Sequence, residues 1–104
     1  MRFCFTFRPR FSSAVKAAFL DRDGVINVDY AYVHSRENFH FIPGALEGAA
    51  ELVRKGHQLI IVTNQSGIGR GKYSIDQFRE LTFWLAGVFA RNHAPLSAVY
   101  FCPH

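Results

Sequence analysis

The sequence predicts an α/β fold built on a parallel sheet. Two observations predict it: three short, almost continuously apolar segments, and helical periodicity in the stretches between them. A third supports them. The apolar segments run into Asp21-Arg22-Asp23, Thr63-Asn64-Gln65 and Cys102-Pro103-His104, and open α/β sheets bind ligands beyond the carboxyl ends of their strands. The order strand, helix, strand, helix, strand implies right-handed crossovers.

The first strand is predicted over Ala14 to Leu20, whose apolarity suits a parallel strand covered on both faces. Asp21-Arg22-Asp23-Gly24 makes a turn, and Val25 to Ile42 reads as irregular structure or a small flap. Pro43-Gly44 opens a helix in which Ala45, Leu46, Ala49, Leu52 and Val53 recur at helical spacing, and Gly56 stops it. His57 to Val62 is the second strand, followed by a loop through Gly67, Gly69 and Gly71. Ser74 and Gln77 have the spacing of a capping box, and Ile75, Phe78, Leu81, Leu85, Val88 and Phe89 line the apolar face of the helix that follows. Asn92 to Pro95 breaks that helix, and Ala98 to Phe101 is the third strand.

A chain of 104 residues fits one small domain, and 49% hydrophobic with 19% charged residues is a globular composition. The net charge of +4 comes from the N-terminal arm, where Arg2, Arg8, Arg10 and Lys16 stand without an acid. The remainder is balanced, so no nucleic-acid face is evident. No apolar run reaches the roughly 20 residues of a membrane helix. Cys4 and Cys102 lie far apart and suggest a reduced, cytoplasmic setting rather than a disulfide framework. Residues 1–13 read as a basic extension without structure, and residues 14–104 as the domain.

Asp21 and Asp23 carry the first chemical pattern. One carboxylate of such a pair can attack phosphorus, and the other can protonate the leaving oxygen and later activate water. Carboxylate and phosphate repel, so the site calls for a hard cation with oxygen ligands, Mg²⁺. A bare Asp-x-Asp also fits an acidic turn that caps backbone N–H groups. Thr63, at the tip of the next strand, can bind phosphate oxygens with the backbone N–H groups of Asn64 and Gln65, or can simply close a strand. The Gly67-x-Gly69-x-Gly71 spacing does not match a dinucleotide fingerprint, and Arg70 and Lys72 are expected near an anionic ligand. Cys102 and His104 offer two zinc ligands where a structural site needs four. His34, His40, His57 and His93 have no ligand spacing and are expected as surface or packing residues.

The strings FLDRDGVINVDYAYVH (19–34), FIPGALEGAAELVRKG (41–56), VTNQSGIGRGKYS (62–74) and VYFCPH (99–104) closely resemble one subgroup of the haloacid dehalogenase (HAD) superfamily. That subgroup comprises heptose-bisphosphate and histidinol-phosphate phosphatases. The resemblance implies a Rossmann-like three-layer sandwich, here its N-terminal half with three parallel strands and crossover helices. It implies a Mg²⁺-dependent cytoplasmic phosphatase acting on a phosphorylated sugar through an aspartyl-phosphate. Asp21 would be the nucleophile and Asp23 the proton donor, with Asp21's side chain and Asp23's backbone carbonyl on Mg²⁺. Asp29, Tyr30, Ala31, Tyr32, Thr63, Asn64, Gln65 and Ser66 would contact substrate, and Cys102 and His104 would be half of a zinc site.

The subgroup's further Cys-x-Cys-Arg-Lys-Pro string, its phosphoryl-neutralising lysine and its later acidic motif are absent from these residues. The expectation is a fragment with little or no turnover, its first strand left as an apolar edge open to self-association. Histidinol phosphate as substrate, or a non-catalytic phosphate- or partner-binding remnant, are the competing expectations.

Overall fold

The computed structural model describes residues 16–104 and the backbone of residues 2–6. Four strands form one sheet: β1 (Arg2–Thr6), β2 (Lys16–Leu20), β3 (His57–Asn64) and β4 (Leu96–Cys102). Their spatial order is β1-β4-β3-β2. The pairs β2–β3 and β3–β4 are parallel, as the strand–helix alternation requires, and β1 runs antiparallel to β4. The described residues therefore carry the Rossmann-like three-strand parallel core expected of the sequence.

Two helices make the crossovers. The first, α1 (Ala45–Arg54), starts after Gly44 at φ 86° and packs on β3. A short turn of helix, α2 (Ser66–Gly69), follows β3. The long helix α3 (Ile75–Arg91) begins at a full capping box: Gln77 N–H donates to the Ser74 hydroxyl at 3.1 Å, and Ser74 N–H donates to Gln77 Oε1 at 2.8 Å. Its buried face of Phe78, Leu81, Leu85 and Phe89 shares one core with Leu59, Ile61, Leu96, Val99 and Phe101. Phe78 and Phe101 rings lie 4.7 Å apart.

Several expectations need correction. Residues 2–6, read from sequence as structureless, form the edge strand paired with β4. Ala14, Val15 and the rest of the extension lie outside the described residues. The first strand is not covered on both faces, since Phe19 is 68% exposed; its expected place at an apolar sheet edge is what the strand order shows. The segment 25–42 is largely irregular, as expected, but it is no loose flap: Ile26, Val33 and Phe39 enter the core and Phe39 meets Trp84 edge-on at 5.6 Å. Isolated bridges Asp23↔Asn27 and Asn27↔Phe41 tie it back to the β2 turn. Among the described residues no helix is long and apolar enough to cross a membrane.

Candidate active site

Leu20 pairs with Ile61, so the ends of β2 and β3 lie side by side. Asp21 and Asp23 leave one, and Thr63 and Asn64 end the other. The chain turns sharply after β2: the Arg22 carbonyl accepts from the N–H groups of Ile26 at 2.8 Å and Val25 at 3.2 Å, with Gly24 at φ 89°. This turn leaves Asp21 exposed and Asp23 half-buried. The Arg22 N–H donates to Asp21 Oδ1 at 2.8 Å.

Arg22 itself points inward and is 2% exposed. Its Nη2 donates to Asp23 Oδ1 at 2.9 Å and to the Val33 carbonyl at 2.8 Å, and the guanidinium sits 5.7 Å from the Phe39 ring centroid. Burial without a partner is costly for a charge, and the Asp23 carboxylate supplies the partner.

Asp23 also accepts from Asn27 Nδ2 at 2.9 Å and from Gln65 Nε2 at 3.1 Å. The same Gln65 Nε2 donates to Thr63 Oγ1 at 2.9 Å. Gln65 Oε1 in turn accepts from the Tyr73 hydroxyl. Burial raises the pKa of Tyr73 above the usual 10.0; the positive charge of Arg22 opposes this, while Asp23 and Tyr32 add to it. The phenol is therefore a donor at neutral pH.

A cleft of about 400 Å³ opens over this network, lined by Asp21, Asp23, Asp29, Ala31, Tyr32, Asn64, Gln65, Ser66, Gly67 and Tyr73. Its rim is unusual backbone: Ala31 and Tyr32 stand at φ 62° and 56°, where few side chains settle. The Ala31 N–H donates to Asp29 Oδ1 at 2.9 Å, which holds that turn. A Cβ at Gly67 would collide with the Tyr73 and Tyr32 rings, so only glycine lets the chain pass there. A cavity of about 450 Å³ lies between His34–Glu37 and α3, but no strand end opens into it.

Most residues singled out by sequence thus share one cleft. Tyr30 does not line it; its hydroxyl pairs with His40 Nδ1 at 2.9 Å. Thr63 is buried beneath Gln65 rather than lining the cleft. The Gln65 N–H is not free for phosphate, because it donates to the Cys102 carbonyl at 2.7 Å. Arg70 does not line the cleft, and Lys72 sits over the Tyr32 ring at 5.8 Å. Sequence reasoning assigned no role to Arg22, Asn27 or Tyr73. Tyr73 stands between Lys72 and the helix cap Ser74, and nothing in that polar setting marks it as a buried phenol that needs a partner.

The donor set fits Mg²⁺, which takes one or two carboxylates and otherwise waters and phosphate oxygens rather than a full protein cage. Asp21 and Asp23 supply hard oxygen at an open cleft. The fit to zinc is poor. Cys102 is a half-buried free thiol and His104 is exposed, and no group of three metal-ligating side chains exists among the described residues.

No family model matches the chain. Curated relatives do. The D-glycero-beta-D-manno-heptose-1,7-bisphosphate 7-phosphatase of Haemophilus influenzae is 51% identical over 89 residues, covering 86% of this chain and 48% of its own length. The enzyme of the same name from Vibrio cholerae is 53% identical over 91 residues, covering 88% and 49%. A crystal structure of the D,D-heptose 1,7-bisphosphate phosphatase of B. bronchiseptica, complexed with magnesium and phosphate, superposes with a TM-score of 0.81 at 32% identity. It covers 86% of this chain and 51% of that one. The chain spans about half the length of the curated relatives it matches. Over that half it is similar in sequence to the heptose-bisphosphate phosphatases and shares the fold of that haloacid dehalogenase-type phosphatase structure.

Proposed function

We propose that these residues form the nucleophile-bearing half of a Mg²⁺-dependent phosphomonoesterase site whose substrate is a sugar bisphosphate of the heptose 1,7-bisphosphate type. One observation carries the proposal: a single amide, Gln65 Nε2, bonds both Asp23 and Thr63 beneath a cleft that Asp21 lines. Such a link holds the tips of two strands at one fixed separation.

Asp21, exposed, attacks phosphorus through a carboxylate oxygen; the P–O bond to the sugar breaks and an aspartyl-phosphate forms. Asp23, entering the cycle in its protonated form, gives its proton to the departing sugar oxygen. Asp23 then takes a proton from water, whose oxygen attacks phosphorus. The P–O bond to Asp21 breaks, inorganic phosphate leaves, and both carboxyl groups return to their starting states. When bound at the Asp21 carboxylate and the Asp23 carbonyl, Mg²⁺ offsets the repulsion between carboxylate and phosphate. Asn64 and Ser66 line the cleft and offer polar groups to the phosphoryl oxygens, while Asp29 and Tyr32 face the sugar.

The 104-residue polypeptide assayed alone is expected to bind Mg²⁺ and phosphate but to turn over far below the ~10 s⁻¹ of a typical enzyme. Among its described residues no third ligand completes a metal group, and Lys72 is turned toward Tyr32. The test is an NMR titration with Mg²⁺ and inorganic phosphate, run beside a phosphate-release assay on heptose 1,7-bisphosphate. Shifts at Asp21, Asp23 and Ser66 that weaken at least about tenfold in Asp21→Asn support the site. Binding indifferent to Asp21→Asn overturns it, and turnover at an ordinary enzymatic rate overturns the low-activity expectation.

A further inference from the structure

Gln65 has two jobs at once. Its Nε2 faces Asp23 and Thr63, and its Oε1 faces Tyr73. An amide turned by half a rotation would present its oxygen to a carboxylate, and would leave Thr63 without this donor. The Asp23 charge and the Tyr73 hydroxyl both oppose that rotation, from opposite ends of the same group. Asp23 cannot do this alone through the whole cycle, because in its protonated form the carboxyl is itself a donor. The phenol offers a donor that does not change through such a cycle.

Tyr73 is well placed to be constant. It is 6% exposed, its ring lies parallel to that of His34 at 5.2 Å, and Gly67 gives it room that any other residue would fill. Its burial keeps the hydroxyl protonated well past neutral pH. The amide bond also orders Thr63. With its oxygen accepting from Gln65, the Thr63 hydroxyl proton is left to donate elsewhere.

We propose that Tyr73 is a positioning residue, whose hydroxyl locks the Gln65 amide so that Nε2 holds Asp23 and Thr63 throughout the reaction. It touches no reacting atom and acts only through Gln65. This inference deepens the phosphatase reading and rests on it for its catalytic meaning, but the lock itself is a property of the folded chain.

The experiment is a double-mutant cycle on the whole 104-residue chain with Tyr73→Phe, Gln65→Leu and the pair, read by Mg²⁺-dependent binding of inorganic phosphate and by NMR of the Gln65 side-chain amide. Tyr73→Phe is expected to weaken phosphate binding about threefold to tenfold, the scale of one buried hydrogen bond. It should also shift the Gln65 Nε2 proton signals. In the Gln65→Leu background the same change should cost nothing further. An equal loss in both backgrounds means that Tyr73 acts by packing, and overturns the proposal. If the wild-type chain binds no phosphate, the phosphatase reading fails, and the amide signals still decide the lock: unmoved signals in Tyr73→Phe overturn it, and moved signals uphold it. A slowly exchanging Tyr73 hydroxyl proton with a cross-peak to the Gln65 amide gives the same answer in the wild type without any variant; rapid exchange and no cross-peak count against it.

Discussion

Gln65 Nε2 stands 3.1 Å from Asp23 Oδ2, although the two residues are 42 positions apart. The turn after β2 and the end of β3 are therefore joined by a side chain as well as by the sheet ladder. A site built this way depends on buried polar groups whose loss is felt in stability before it is felt in chemistry.

Arg22→Ala should show this most strongly. The change deletes a buried guanidinium with one carboxylate partner, one carbonyl acceptor and an aromatic face. It leaves a void and an Asp23 carboxylate short of a donor. A loss of about 3 kcal/mol is expected in urea denaturation. Arg22→Lys should recover only part of it, because an ammonium cannot copy the planar fork.

Alkaline pH should unfold the protein partly through Tyr73. Its folded pKa is raised, so above the unfolded value of 10.0 the native state holds a proton that the unfolded chain releases. The stabilisation is complete below pH 10 and is lost as pH rises through the higher folded value. Denaturation midpoints followed from pH 9 upward should fall in the wild type, and the part due to Tyr73 should vanish in Tyr73→Phe. Absorbance of ionising tyrosine, compared between the two proteins, gives the same shift directly.

Gly67→Ala tests the cleft wall. The added methyl meets the Tyr73 and Tyr32 rings, neither of which is the far end of a flexible chain. Overpacking of this kind costs roughly 1–3 kcal/mol. The Tyr73–Gln65 bond should loosen with it, visible as a shifted Gln65 side-chain amide together with a lower Tm.

Ser74→Ala removes the hydroxyl that accepts from Gln77 N–H, and so half of the reciprocal cap of α3. A loss of about 1 kcal/mol is expected, read as a fall in Tm with the far-UV helix signal otherwise intact. Because Ser74 adjoins Tyr73, unchanged Gln65 signals in this variant would show that the lock does not depend on the cap.

The local rules written in the chain carried a long way. Continuous apolar runs marked β3 and β4, period 3.6 marked α1 and α3, and Ser74-x-x-Gln77 marked the start of α3 to the residue. The acids at the tip of β2 and the hydroxyl at the tip of β3 were legible because strand ends in a parallel sheet converge by topology. What local pattern could not tell was whether a strand is flanked. Ala17, Ala18, Phe19 and Leu20 are as apolar as a central strand, yet β2 is an edge, as the family resemblance implied and the apolar run did not, because burial depends on what else packs there.

The amino-acid sequence by itself determined β2, α1, β3, α3 and β4, their order, and the acids and hydroxyl of the candidate site, since each follows from spacing along the chain; β1 and α2 did not follow from it. Only the tertiary structure decided which polar group bonds which. It turned Arg22 inward to Asp23, sent Tyr30 to His40 instead of the cleft, occupied the Gln65 N–H with Cys102, and set Tyr73 behind Gln65. The reason is physical: periodicity is a property of neighbours in sequence, whereas a buried donor takes whichever acceptor the folded chain brings within about 3 Å.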